Sequence, residues 1–90
     1  MNPSVRIIIK GKVQGVSFRY FTLKNAQELN ISGWVRNKSN GNVEAIAQGT
    51  KRNLELLIQI LQQGSSFSRV DKVTLNWEHA EKDYTDFVIL

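Results

Sequence analysis

The sequence predicts an α+β sandwich, an antiparallel sheet with two helices packed on one face. Three observations lead there. Runs with a period of two alternate with two stretches of helical spacing, in the order strand, helix, strand, strand, helix, strand. An Asn-Gly pair stands between the second and third strands, where both residues tolerate the positive φ of a tight hairpin. The 90 residues suffice for one small domain, residues 1–90, with no internal repeat, low-complexity tract or long linker.

The first strand is expected from Val5 to Lys10. There Val5, Ile7 and Ile9 alternate with Arg6, Ile8 and Lys10 and read as largely buried. Pro3, the only proline, falls in a start expected to be disordered. A helix is expected from Tyr20 to Leu29. Thr22, Ala26 and Leu29 share one face, and Phe18 and Phe21 join it near the start. Ser17 is its candidate N-cap, and Asn30 and Gly33 flank its exit. Trp34 to Lys38 reads as the second strand and Asn42 to Gly49 as the third, joined through Ser39-Asn40-Gly41-Asn42. Val43, Ala45 and Ala47 fall on one face of the third strand.

Thr50 caps a second helix, Lys51 to Gln63, in which Leu54, Leu57, Ile58 and Leu61 form a buried stripe. Lys51 and Arg52 occupy its first turn, where the helix dipole disfavours cations. Gly64 to Ser68 is a loop. Val73, Leu75 and Trp77 alternate with Lys72, Thr74 and Asn76 in a half-buried fourth strand. His79 to Asp83 reads as a polar turn and Asp86 to Leu90 as a short last strand, anchored by Tyr84 and Phe87. Trp34 and Trp77 are expected in the core or half-buried. The whole is a βαββαβ order with an extra short C-terminal strand, the split βαβ pattern called ferredoxin-like.

Composition narrows the function. The chain has no cysteine, so neither a disulfide framework nor a thiolate metal site exists, and the composition suits the cytoplasm. No apolar run approaches a membrane span, and the N-terminus lacks the apolar core of a secretory signal. Charge is uneven. Residues 1–38 carry seven Lys/Arg and one acid, Glu28, a net +6, whereas residues 39–90 carry five Lys/Arg and seven acids, a net −2. A positive field of this kind draws in small anions and raises their encounter rate. It equally describes a solvated basic surface, or a nucleic-acid binder.

The stretch Gly11 to Arg19, G-K-V-Q-G-V-S-F-R, lies between the first strand and the first helix. Such a loop can turn successive N–H groups inward into an anion-binding nest. The helix N-terminus adds further free N–H groups and the positive end of a dipole. Arg19 can clamp two phosphate oxygens with its planar fork. A cation at a helix start is unfavourable unless an anion joins it. The loop matches neither the dinucleotide fingerprint nor the P-loop. Local chemistry alone therefore leaves two readings, a phosphate cradle or an ordinary strand-to-helix turn.

G-K-V-Q-G-V-S-F-R, followed by G-W-V-R-N (Gly33 to Asn37) and N-G-N-V-E (Asn40 to Glu44), resembles the signature of the acylphosphatase family in order and spacing. The resemblance runs from about Val5 to Leu90 and implies a free-standing small enzyme with the ferredoxin-like fold. It implies that Arg19 binds the phosphate and Asn37 orients the attacking water. Without it, Asn37 reads as a residue entering a turn. Gln14, Gly15, Val16, Ser17 and Phe18 are the expected substrate-binding loop, contributing mainly backbone N–H groups. Gly15 is needed because a side chain would crowd the phosphate and restrict φ. The task of the Gln14 side chain is left open, and Val13, Val16 and Phe18 also read as packing residues.

The implied reaction is hydrolysis of a small acyl phosphate to a carboxylate and inorganic phosphate, by direct attack of water and without a metal or other cofactor. The leaving group is a stabilised carboxylate that needs little protonation. Inorganic phosphate is expected as product and competing ligand, and the protein as a monomer. Three features depart from the family pattern: the basic first turn of the second helix, Ser65 and Ser66 where proline is frequent, and Asn40 in place of a usual aspartate.

Other residues carry less. His79, the only histidine, has no acid or hydroxyl partner in a recognisable motif and reads as a surface residue. Asp71, Glu78, Glu81, Asp83 and Asp86 lack metal-loop spacing and read as solvated charges. The rival function is nucleic-acid binding, since RNA-recognition domains share this element order. That reading needs stacking aromatics on the first and third strands. Those strands read R-I-I-I-K and V-E-A-I-A-Q, so no specific nucleic-acid partner is expected.

Overall fold

The period-two pattern produces a five-stranded sheet. In the computed structural model, which describes residues 2–79 and 82–90, the strands are β1 (Ser4–Lys12), β2 (Ser32–Asn37), β3 (Val43–Gln48), β4 (Arg69–Glu78) and β5 (Phe87–Ile89). Their order across the sheet is β4-β1-β3-β2-β5. β1 pairs antiparallel with β3 and β4, and β2 antiparallel with β3. The terminal strand β5 adds parallel to β2, with Gly33 opposite Phe87, so the sheet as a whole is mixed. The two helices are α1 (Phe18–Glu28) and α2 (Lys51–Gln63). Two helices over this sheet give the ferredoxin-like sandwich the element order predicts.

One apolar layer explains the packing. Val5, Ile7 and Ile9 of β1, Val35 of β2, and Val43, Ala45 and Ala47 of β3 are buried against Phe18 and Ala26 of α1 and Leu54, Leu57, Ile58 and Leu61 of α2. Each large aliphatic buried this way contributes roughly 1.5–3 kcal/mol relative to exposure. The central strand β3 is buried on its other face too, at Glu44, Ile46 and Gln48. The chain after β4 pins itself there: Gln48 Nε2 donates to Lys82 O at 3.1 Å, and Tyr84 N donates to Gln48 Oε1 at 2.9 Å. This crossing carries the chain from the β4 edge to the β5 edge, where β5 starts beside β2.

Backbone signals behave locally as chemistry dictates. Thr50 caps α2, accepting from Asn53 N at 3.2 Å. Asn30, at φ 56°, ends α1 with a left-handed residue, and Ile31 N donates to Ala26 O at 2.9 Å. The hairpin closes as the Asn-Gly pair requires, with Lys38 N donating to Asn42 O at 2.8 Å.

Several expectations need correction. α1 starts at Phe18 and ends at Glu28, earlier at both ends than Tyr20 to Leu29. Ser17 stands at the N-cap position, but its backbone is left-handed (φ 61°, ψ 27°) and its side chain makes no cap bond. A capping side chain needs an extended backbone at that residue, and the tight loop before α1 denies it. Gly33 lies inside β2 rather than at the helix exit. A Cβ there would sit 1.9 Å from Ile46 O, so only glycine lets the strands approach. Pro3 is not a disordered lead-in: its carbonyl accepts from Gly49 N at 3.3 Å. Trp77 is 44% exposed on the edge strand β4. The fourth strand is also longer than expected, and Glu78 is an ion-pair partner of Arg6 rather than a free charge. Within the expected polar turn, residues 80 and 81, and with them the reading of Glu81, lie outside the described residues.

Candidate functional site

The loop between β1 and α1 is built from unusual backbone. Gly15 has φ 74° and Ser17 φ 61°, and residues 14–17 bend continuously into Phe18, the first residue of α1. A serine in left-handed conformation costs about 1 kcal/mol or more. Such strain is retained where the surroundings or a ligand require it. None of the N–H groups of residues 15–20 donates to a backbone acceptor among the described residues. The first turn of α1 therefore presents unpaired donors and its positive dipole end together. A Cβ at Gly15 would meet no protein atom within 4 Å, so its φ, not crowding by neighbours, demands glycine.

Arg19 is half-buried at the second position of α1, and its Nη1 donates to Leu90 O at 3.4 Å. Asn37 is the last residue of β2, opposite Val43 on β3. The strand alternation turns it to the same side as Val35, toward the helices. Fold and loop thus bring into one cleft two residues that lie eighteen positions apart in sequence. Arg19 and Asn37 line it together with Val13, Gly15, Ser17, Phe18, Tyr20 and Ile89, in a volume of about 340 Å³. Asn37 Oδ1 is buried there with no hydrogen-bond partner. A buried amide oxygen without a donor is rare in folded proteins and costs on the order of 1–3 kcal/mol.

Of the other expected loop residues, Phe18 is both cleft wall and core, and Val16 packs partly against the core. Val16 faces a neighbouring cleft with Lys12 and Phe67 rather than the one holding Arg19. Gln14 does not line the Arg19 cleft. Its side chain reaches the β2–β3 hairpin instead, where Nε2 donates to Lys38 O and Asn42 O, each at 2.8 Å.

A second cleft of about 410 Å³ lies on the helix-free face, lined by Arg6, Trp34, Glu78, His79, Lys82 and Tyr84 among others. It is larger but electrostatically occupied. Arg6 is paired with Glu44 and Glu78, and Lys82 lies over the Tyr84 ring at 4.9 Å. The Arg19 cleft, with its unpaired backbone donors, is the better anion site. Among the described residues no cluster of three His, Asp, Glu or Cys side chains forms a metal site.

The ion-pair network around Glu44 escaped the sequence reading. Glu44 accepts from Arg6 at 2.6 Å and from Arg36 at 2.7 Å, and Arg6 also bonds Glu78 at 3.0 Å. Burial alone would raise the Glu44 carboxyl, but the hydrogen bonds and charges of Arg36 and Arg6 outweigh it and hold it below its ordinary range. The pairing of Arg6 opposite Ile46 and Arg36 opposite Glu44 was the available signal, and it requires the register.

Known proteins resemble this chain over nearly its whole length. Residues 5–89 match the acylphosphatase family. An acylphosphatase from Mycobacterium sp. (strain KMS) is 40% identical over 87 residues, covering 94% of this chain and 93% of its own length. The crystal structure of an acylphosphatase from Bacillus subtilis superposes with TM-score 0.95 at 34% identity, covering 98% of each chain. An acylphosphatase from Coxiella burnetii gives TM-score 0.94 at 35% identity, covering 99% of this chain and 93% of the other.

Proposed function

Because the chain belongs to the acylphosphatase family, we propose that it hydrolyses the carboxyl–phosphate bond of small acyl phosphates. The observation that carries this reading is the shared cleft: a guanidinium with no carboxylate partner among the described residues, loop residues with unpaired N–H groups and a buried amide oxygen without a donor meet in one place. The Arg19 fork and the N–H groups of Gly15 to Tyr20 hold the phosphoryl oxygens. They also stabilise the charge that develops as the acyl oxygen departs. Asn37 Oδ1 accepts a hydrogen bond from the attacking water, which explains why that oxygen is left unsatisfied by the protein. Water oxygen bonds to phosphorus, the phosphorus–acyl oxygen bond breaks, and its electron pair leaves with the carboxylate. From a dianionic acyl phosphate the net products are RCOO⁻ and H₂PO₄⁻, so both water protons end on phosphate.

The reaction proceeds without a metal, since the charges on the phosphoryl group are met by Arg19 and backbone donors. The cysteine-free composition fits a cytoplasmic setting, and no helix among the described residues is long and apolar enough to cross a membrane. The rival nucleic-acid reading is less favoured: the outer faces of β1 and β3 carry Arg6, Ile8, Glu44 and Ile46, and the rings on that side, Trp34 and Tyr84, lie outside those two strands. The test is turnover of an aryl acyl phosphate by purified protein, with and without a strong chelator. Equal rates are expected, with inorganic phosphate competing. Absence of turnover would remove the activity, and a loss under chelator that magnesium or zinc restores would remove the metal-free mechanism.

A further inference from the structure

We propose that Gln14 is a positioning residue whose side-chain amide ties the phosphate loop to the hairpin and so fixes the distance between Arg19 and Asn37. The inference rests on the hydrolase reading of that cleft. Its basis is the pair of 2.8 Å bonds from Gln14 Nε2 to Lys38 O and Asn42 O. Both acceptors are carbonyls, so only the N–H side of the amide can face them, and both of its hydrogens are used.

Two facts separate this tie from an ordinary folding contact. First, the hairpin closes without it. Lys38 N donates to Asn42 O, Gly41 N donates to Lys38 O at 3.2 Å, and Asn42 N donates to Asn40 Oδ1 at 3.1 Å. Second, the sheet does not supply the same link. β1, which feeds the loop, and β2, which ends in Asn37, are not neighbours, because β3 lies between them. Gln14 is thus a direct strap from the loop to the residue that follows Asn37. The Asn37 Oδ1 atom has no protein partner, so its place follows from its backbone, which β3 pairs on one side and Gln14 grips at the next residue, Lys38. Displacement of a positioning group by about 1 Å can cost on the order of 10²-fold in rate.

Gln14→Met keeps the length of the side chain and removes both donors. We expect kcat to fall about 10- to 100-fold, while KM and the dissociation constant of inorganic phosphate change less than about threefold, since Arg19 and the backbone N–H groups of the loop are all retained. In an Asn37→Ala background the same substitution should change kcat little, because its effect passes through Asn37. Gln14→Glu sets a carboxylate against two carbonyls. Measured relative to wild type at each pH, its rate should recover on acidification, when the carboxyl regains one donor.

An NMR titration with inorganic phosphate supplies a readout that needs no turnover. The Asn37 side-chain amide should respond to phosphate in wild type and lose that response in Gln14→Met, while Gly15 and Ser17 keep theirs. An inactive wild type would sink the hydrolase reading, and the tie would still be judged on this response. Unchanged kcat with an unchanged Asn37 response would overturn the proposal. So would an equal loss of kcat in both backgrounds, or failure of both Gln14→Met and Gln14→Ala to fold.

Discussion

Arg19 and Asn37 differ in what they offer a phosphoryl group, and their variants should separate accordingly. Arg19 presents a planar fork of donors and a permanent charge. Each charge-assisted hydrogen bond it makes contributes roughly 1.5–3 kcal/mol. Losing one should cost about 10- to 100-fold, and Arg19→Lys, which keeps charge but not the fork, should weaken phosphate binding as well as turnover. Phosphate affinity by calorimetry, measured beside steady-state kinetics, checks this; normal values for both in Arg19→Lys would show the clamp misassigned. Asn37 contributes an amide whose buried oxygen has no protein partner. Asn37→Ala should fold, bind phosphate nearly as wild type does, and lose about 10²–10³ in kcat, as for one oriented polar group of this kind. Asn37→Asp should also be poor, because it places a negative charge beside the phosphate; a well-folded Asn37→Ala with near-normal kcat would reduce the residue to a strand end. The resembled motif singles out both residues in the sequence, and the fold brings them to one cleft. The Gln14 side chain was not, because its partners are backbone carbonyls 24 and 28 positions away, which no side-chain pattern marks. The backbone of Ser17 was misread for a related reason: a serine before a helix matches the capping pattern in composition, but its φ belongs to the loop.

At the scale of elements, α2 followed from its sequence and α1 only in part. α2 has an apolar stripe at helical spacing and a capping threonine, and its bounds, Lys51–Gln63, fall where those signals put them. α1 begins two residues before its expected start because the bent loop through Ser17, not a side-chain cap, delivers the chain into the helix. The contrast gives a paired prediction. Thr50→Ala removes the bond to Asn53 N and should cost about 1 kcal/mol, a fall in Tm of roughly 4–8 °C for a domain of this size. Ser17→Ala removes no cap bond and should lower Tm far less. Thermal unfolding of both variants in the same buffer checks the pair, and an equal loss would mean that Ser17 caps α1 in solution. The strands were legible from alternation, but the close approach of β2 to β3 was not. Gly33 reads as a helix-exit glycine until the register sets it against Ile46 O.

Across the whole molecule, a single ion-pair network links four strands. Glu44 of β3 is nearly buried, with a side chain only 6% exposed, and is held by Arg6 of β1 and Arg36 of β2; Arg6 reaches on to Glu78 of β4. In sequence Glu44 is the polar residue of an alternating strand, and alternation alone assigns it to solvent. It is covered because β3 is central and both flanking strands present arginines at its level, a fact of register that no local pattern carries. The consequence for stability has a definite sign. The folded-state carboxyl lies below its ordinary value of 4.5, so the folded protein binds this proton less readily than the unfolded chain does. The stabilisation is therefore fully present above that ordinary value and is lost as pH falls through the lower, folded-state value. The arginines are 37% and 49% exposed and can turn to water, so the contribution is discounted from the buried-pair range to on the order of 1–2 kcal/mol. Glu44→Gln keeps the shape and resembles the protonated acid. At pH 7 it should melt below wild type by several degrees. As pH is lowered below 4.5 the two melting curves should converge, because wild type then also carries a neutral side chain there. Convergence isolates Glu44 from the general acid sensitivity of the fold, since every other carboxylate is common to both proteins. A difference in Tm that stays constant from pH 7 to pH 3 would assign the effect of the substitution to packing rather than to the charge.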